Sequence, residues 1–226
     1  MEKIIITFEN GTKKEYPKGI KLHEIIKDVE KDYPHQIISA KFKNQLINYN
    51  DAIMKNGELT LYDITTPQGN KIYERGLIFL FEVCALEVLG KDTKIKIRHP
   101  IDKGIYCEID KKLSENNLEE IKELMKKKVS LGLPFEQLET SRLEAIEYFN
   151  KLKRYDKVKT LSYTISNFVK LYKFDGIYNY IIGDLPSNSS ILKTFDLTLL
   201  KNKGIVLRFP FTYNNGKIKK YVYHEK

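Results

Sequence analysis

The chain has no tryptophan, two cysteines, four histidines, and only five arginines among its 39 basic residues. Each shortage excludes something. Cys84 and Cys107 are too few for a disulfide framework. His23, His35, His99 and His224 are scattered and give no metal-ligand spacing. The glycines are isolated, so no G-x-x-x-x-G-K-S/T loop is present to gather backbone amides around a phosphate. G-x-S-x-G, H-E-x-x-H and C-x-x-C are absent as well. The longest apolar run, Leu77–Leu89, is interrupted by Glu82 and Glu87, whereas a bilayer span needs about 20 apolar residues. The first residues, Met1 to Ile6, enter a strand pattern directly, without the regions of a signal peptide. A cytosolic protein is expected.

What is there fits a soluble globular chain. It has 226 residues, 42% of them hydrophobic and 31% charged, enough for one large domain or two ordinary ones. The formal charge of +9 comes almost wholly from lysine. Together with many Ile, Asn and Tyr, that excess fits the codon usage of an AT-rich genome. It also fits a surface that meets phosphate or another polyanion.

Residues 3–8 read as a strand, Asn10-Gly11 as a hairpin turn, and Thr12–Tyr16 as the return strand. Leu22, Ile25, Ile26 and Val29 have helical spacing within Lys21–Tyr33, and Pro34 ends that helix. Strand-like stretches follow at Ile37–Phe42, Gln45–Ile47 and Glu58–Tyr62. Two strands, a helix and more strands make a β-grasp module over residues 1–64. Residues 65–70, Thr-Thr-Pro-Gln-Gly-Asn, read as a linker.

A different pattern occupies 71–226. Residues 74–89 are apolar nearly all round and predict a central helix. Lys94–Arg98 and Gly104–Ile109 read as neighbouring strands. Ser114 caps a helix that Gly132 and Pro134 stop. Ser141 and Glu144 form a capping box for another, with Leu143, Ile146, Phe149 and Leu152 assigned to one face. From Phe168 onward short strands prevail, ending with Ile205–Phe209 and Lys217–Tyr223 around Asn214-Asn215-Gly216. The fold class is therefore α+β.

Few residues suggest chemistry. Cys84, within the apolar helix, and Cys107, on a strand, read as structural thiols. His99 reads as an exposed histidine at a strand end. Basic clusters occur at Lys126-Lys127-Lys128, at Lys151, Lys153 and Arg154, at Lys157 and Lys159, and at Lys217, Lys219 and Lys220. Solvated helix faces account for the first two. Tyr148, Tyr155, Tyr163 and Tyr172 interleave with the central clusters, and aromatics beside lysine can stack bases. Lys126, Lys127, Lys128, Lys151, Lys153 and Arg154 are accordingly the candidate RNA contacts.

The β-grasp reading of residues 1–63 resembles a TGS domain, the small module of threonyl-tRNA synthetases and stringent-response enzymes. Gly132-Leu133-Pro134-Phe135-Glu136, followed by Ser141-Arg142-Leu143-Glu144-Ala145 and Phe149, resembles a signature of the second additional, or editing, domain of threonyl-tRNA synthetases. That resemblance implies an α+β module with an antiparallel sheet. The family's editing domain carries two ligand pairs, H-x-x-x-H on a helix and C-x-x-x-H on a later turn. The first pair follows an Arg, here Arg75, and falls on Gly76 and Leu80. The second brackets a Gly, here Gly183, and falls on Ile181 and Leu185. None of these four side chains offers a lone pair to a metal or a proton. The resemblance therefore implies the fold without the hydrolytic site, and no metal is expected.

A group of bacterial uridine-kinase-like nucleoside kinases is similar too. Its linker and helix read like Gly69–Leu80, and its second domain ends in a phrase like Gly204-Ile205-Val206-Leu207-Arg208-Phe209-Pro210. That resemblance implies a downstream P-loop kinase domain in cis, with ATP and Mg needed only there. The expected function is a non-catalytic accessory or regulatory region of such a kinase, binding RNA, a nucleotide or a partner. The alternative is a threonyl-tRNA synthetase-related protein, acting as a metal-free tRNA editing deacylase or a tRNA-binding factor.

Overall fold

The computed structural model describes residues 2–101, 104–200, 204–211 and 217–218. The fold is α+β: a β-grasp sheet with its helix, then an α+β unit built around one long apolar helix.

The first unit contains β1 (Lys3–Phe8), β2 (Lys13–Pro17), β3 (Ile20–Lys21), α1 (Leu22–Val29), β4 (Ile37–Phe42), β5 (Gln45–Ile47), β6 (Ala52–Ile53) and β7 (Gly57–Asp63). Its main sheet has the order β2-β1-β7-β4-β5, with β1 parallel to β7 and the other pairs antiparallel. Alternation along β1 sends Ile4 and Ile6 inward and leaves Ile5 exposed. Gly11 supplies the left-handed φ of +80° that the β1–β2 turn requires. Helix α1 lays Leu22, Ile25, Ile26 and Val29 against the sheet.

Residues 65–70 do not form the expected linker. The Asp63 side chain accepts from the backbone amides of Thr65 and Thr66, which tightens the turn. Thr66 is the N-cap of α2 (Pro67–Leu89), its Oγ1 accepting from the Gly69 amide at 3.1 Å. Pro67 sits in the first turn, where its missing N–H is harmless. Gly69 and Asn70 are buried, and Asn70 Nδ2 donates to the Pro210 carbonyl at 2.8 Å. The turn formers of this stretch start a helix, and no exposed tether exists there. The two units also share a seam. Ile38 and Ile64 join the core around α2, and Tyr49 packs against both cores.

The second unit adds β8 (Ile95–Ile101), β9 (Gly104–Ile109), α3 (Glu115–Leu131), β10 (Glu136–Ser141), α4 (Arg142–Lys151), α5 (Tyr155–Ser162), β11 (Phe168–Phe174), β12 (Ile177–Asn179), β13 (Asp196–Leu200) and β14 (Gly204–Arg208). Two antiparallel sheets, β13-β14-β9-β8 and β10-β11-β12, flank α2. Leu77, Phe79, Leu80, Phe81 and Cys84 of α2 are all at most 1% exposed. Burying each such side chain contributes about 1.5–3 kcal/mol, so α2 is the main prop of this core. Ser114 and Gly132 cap α3 as expected, and Ser141 with Glu144 caps α4.

The buried face of α4 differs from expectation. Ala145 and Phe149 are buried, whereas Leu143 and Leu152 are 68% and 52% exposed. The helix leans on β11 through a narrow stripe, together with α5. Helix α5 is formed by the stretch that holds Lys157 and Lys159. The expected strand Lys217–Tyr223 and its turn at 214–216 lie, apart from Lys217 and Ile218, outside the described residues.

Candidate functional site

The two segments on which the synthetase resemblance would place its ligand pairs lie together in space. An ideal Cβ on Gly76 would lie 2.7 Å from Cγ and Cδ of Pro186. Helix α2 and the 181–186 segment therefore pack backbone against ring. Beside this contact, the Arg75 guanidinium lies over Gly183, where a Cβ would fall 2.6 Å from Cζ. Gly183 also has a φ of +99°, which disfavours any side chain. Of the four ligand positions, Gly76, Leu80 and Leu185 are packed into the core. Ile181 is half-buried and faces a cavity. Among the described residues, no group of three or more His, Cys, Asp or Glu is placed to hold a metal ion.

That cavity, of about 260 Å³, lies where α2, β12 and α5 approach one another. Arg75, Ile78 and Glu82 line it from one stripe of α2, at positions i, i+3 and i+7. Asn179, Ile181 and Ile182 face it from β12 and the segment after it, and Lys157 and Thr160 from α5. Glu82 is 5% exposed. It accepts from Asn179 Nδ2 at 2.7 Å and faces Arg154 Nη2 at 3.6 Å. The Oδ1 of Asn179 is buried with no hydrogen-bond partner. Lys157 Nζ donates to the Tyr180 carbonyl at 2.9 Å. Burial holds the Lys157 ammonium below the usual lysine range, with Glu82 pulling the other way and Arg154 adding to the depression. Arg75 makes no hydrogen bond or ion pair with any described residue.

Reading the sequence missed Glu82, Lys157 and Asn179 as a group. One signal was available: a carboxylate inside an otherwise apolar buried helix needs partners. Nothing in the spacing says that those partners come from residues 154 and 179.

The six candidate RNA contacts divide. Lys126, Lys127, Lys151 and Lys153 are exposed. Lys128 is 6% exposed, held by Glu87 at 2.7 Å and by Asp175, so its charge is neutralised inside the fold. Arg154 is half-buried between Glu82 and Asp156. Burial alone would raise the Asp156 carboxyl, but the Arg154 hydrogen bond and charge hold it below the usual range. Lys128 and Arg154 therefore drop out as phosphate contacts, since each is already committed to carboxylates. Of the interleaved tyrosines, Tyr155 and Tyr163 are exposed, Tyr148 is half-buried edge-on to Phe149 and Tyr178, and Tyr172 is buried. Lys219 and Lys220 lie outside the described residues.

Burial pushes the Cys84 thiol up to about 12 and raises Cys107 further, so both are inert at neutral pH. His99 is exposed, its ring tilted against Tyr106. A second, broader groove of about 1420 Å³ separates the two units and is lined by carboxamides such as Asn44, Asn48 and Gln137, with Lys41 and Lys170. No described helix is long and apolar enough to cross a membrane.

With this geometry in hand, the relatives are informative. No family model matches the chain. The chain is similar to a threonine–tRNA ligase of Caldanaerobacter subterraneus subsp. tengcongensis, with 29% identity over 150 residues, covering 66% of this chain and 23% of the ligase. It is similar to that of Francisella tularensis subsp. novicida, with 28% identity over 199 residues, covering 87% and 31%. The chain thus spans less than a third of the length of these curated relatives. A solved chain described as ATBAG1 in complex with HSP70 aligns with a TM-score of 0.24 and 11% identity, over 72% of this chain and 92% of that one, a likeness too slight to use. The expected nucleoside-kinase parent gains no support from these relatives.

Proposed function

We propose that this chain is a tRNA-binding accessory region related to threonyl-tRNA synthetases, one that holds RNA without the hydrolysis of an editing domain. The observation that carries the reading is the similarity to threonine–tRNA ligases over 199 residues, which takes in both units. By the resemblance to the editing pattern, its ligand positions would fall on Gly76, Leu80, Ile181 and Leu185, none of which offers a lone pair. The formal charge of +9 supplies a salt-dependent attraction for phosphate. The exposed set Lys126, Lys127, Lys151 and Lys153 offers up to four contacts. An accessory role for a kinase downstream would be compatible with RNA binding, but the threonine–tRNA ligase relatives do not support it.

The test is tRNA binding across a salt series. Replacing the four exposed lysines by Ser is expected to flatten the log–log salt slope by up to about 3.6, at roughly 0.7–0.9 per lost phosphate contact. Replacing Lys13, Lys27, Lys31 and Lys43 of the first unit should do much less. Equal losses from both sets would show generic electrostatics and overturn the reading. A second reading is a metal-free deacylase, favoured by the polar groups lining the 260 Å³ cavity. Hydrolysis of a misacylated tRNA by this chain, abolished by Lys157→Met, would replace the first reading with the second.

A further inference from the structure

The groove of about 1420 Å³ between the two units is larger than small-molecule pockets, which hold about 300–1,000 Å³, and so suits an extended occupant. One wall includes β5, the end strand of the β-grasp sheet. Lys43 and Asn44, at φ of +49° and +64°, make a two-residue turn between β4 and β5. Such a turn closes on Phe42 and Gln45 as a hydrogen-bonded pair, so Lys41 and Leu46 form the next, non-bonded pair. The N–H and C=O of Leu46 therefore point away from β4, and no described strand pairs with that edge. Leu46 itself lines the groove. Other edges are blunted: β2 carries Lys13, Lys14 and Pro17, and β8 carries Lys96, Arg98 and Pro100. Strand β5, Gln45-Leu46-Ile47, carries neither charge nor proline.

We propose that this groove binds an extended acidic peptide of a partner protein, which adds a strand to β5. The Leu46 amide and carbonyl take one peptide residue as a ladder partner. The side chains of Asn44, Gln45 and Asn50 line the groove and make no hydrogen bond with any described residue. Each offers both donors and an acceptor to the neighbouring peptide groups. Charge sets the sign of the partner. Lys41 from one unit and Lys170 from the other line the groove, and neither makes an ion pair with a described residue. Glu136 is already held by Lys173 at 3.3 Å, which leaves Asp184 as the unpaired carboxylate among the described lining residues. The rings of Tyr49, Phe135 and Tyr172 pack into the cores, so the groove does not offer them to bases for stacking. That favours a strand over single-stranded RNA. The inference goes beyond the tRNA reading and does not depend on it.

Selection of a displayed library of random peptides, about twelve residues long, on the full chain tests it, followed by anisotropy titration of the leading synthetic peptide. Net acidic sequences without a central proline are expected, with saturable one-to-one binding below about 100 μM. N-methylation of alternate amides at the peptide's centre removes ladder donors and should weaken binding at least about tenfold. Lys41→Glu with Lys170→Glu should also lose at least about tenfold. The same charge change at Lys13 and Lys27, exposed on β2 and α1, should cost less than about threefold. Should the first pair fail to fold, Asn44→Gly keeps the left-handed turn and should weaken binding at least about threefold. No enrichment, net basic winners, an N-methylated peptide that binds as well as its parent, or equal losses from the two lysine pairs would each overturn the proposal. Binding of an oligoadenylate that Lys41→Glu with Lys170→Glu abolishes, with no peptide enriched, would give the groove to RNA instead. If the peptide fails while Lys126, Lys127, Lys151 and Lys153 still govern tRNA affinity, only this inference falls.

Discussion

Helix α2 presents two neighbouring stripes that have met opposite fates. Gly76 and Leu80, where the synthetase resemblance would put a pair of histidines, are both sealed, Gly76 against the Pro186 ring and Leu80 at 0% exposure. Arg75, Ile78 and Glu82 lie one residue or two away, and they open onto a cavity. One stripe has become core, with no polar atom left to satisfy. The other keeps charge at a price the fold meets with Asn179 and Arg154. Packing closes the apolar stripe, while the adjacent polar stripe, held by its own hydrogen bonds, stays open to a cavity.

Placing histidines at residues 76 and 80 is the strongest way to break this contrast. A Cβ at residue 76 already meets Pro186 below contact distance, and an imidazole at residue 80 would be buried with no partner. The double variant Gly76→His, Leu80→His is expected to lose at least about 4 kcal/mol, summing overpacking and an unpaired polar group. Denaturant melts read this directly. Near-native stability with zinc-dependent stabilisation would show that the stripe is still a latent metal site.

Glu82→Gln should have a smaller effect, about 1–3 kcal/mol. The amide keeps the shape and can still accept from Asn179, but it leaves Arg154 with only the more exposed Asp156. Chemical denaturation of the two proteins side by side measures it. A change within about 0.5 kcal/mol would mean that Arg154 is satisfied by Asp156 alone. Arg75→Met should lie within that same 0.5 kcal/mol, because no hydrogen bond or ion pair is lost. A large loss there would make Arg75 a structural residue.

The same contrast shows where sequence reasoning succeeds. Caps and alternation act over three or four residues, so Ser114, Gly132, the Ser141–Glu144 box and strand β1 could be read before any coordinates. What could not be read depends on long-range pairing. Glu82 finds Asn179 across 97 residues. Lys128 finds Asp175 across 47, which is why a run of three lysines held one buried member. Residues 65–70 misled because Thr-Thr-Pro serves a turn and a helix N-cap equally well; only the burial of Asn70 against the Pro210 carbonyl decides between them. Helix α5 went unread because its single buried side chain, Leu161, leaves no periodic stripe.

The smallest expected effect is a slope with pH, and it sharpens the polar stripe most. Lys157 has a folded-state pKa below its unfolded value, chiefly through burial. Below the folded pKa both states carry the ammonium, and the folded state holds it in a poorly hydrated place. As pH rises through the folded pKa, the folded protein releases that proton while the unfolded chain still binds it. Stability gained from this group therefore increases with pH and is complete only above the unfolded value, near 10.4. Other groups run against it. Tyr49 and Tyr73 are raised by burial, so the folded state resists their ionisation and loses stability in strong alkali. The comparison must therefore be a difference between wild type and Lys157→Met, in which the tyrosines cancel. The lost hydrogen bond to the Tyr180 carbonyl adds an offset, and in urea melts from pH 7 to 10 the wild type should gain on the variant as pH rises. A difference that stays flat would show that Lys157 is hydrated through the cavity mouth. A difference that falls would show that Glu82 holds the ammonium charged more strongly than burial opposes it.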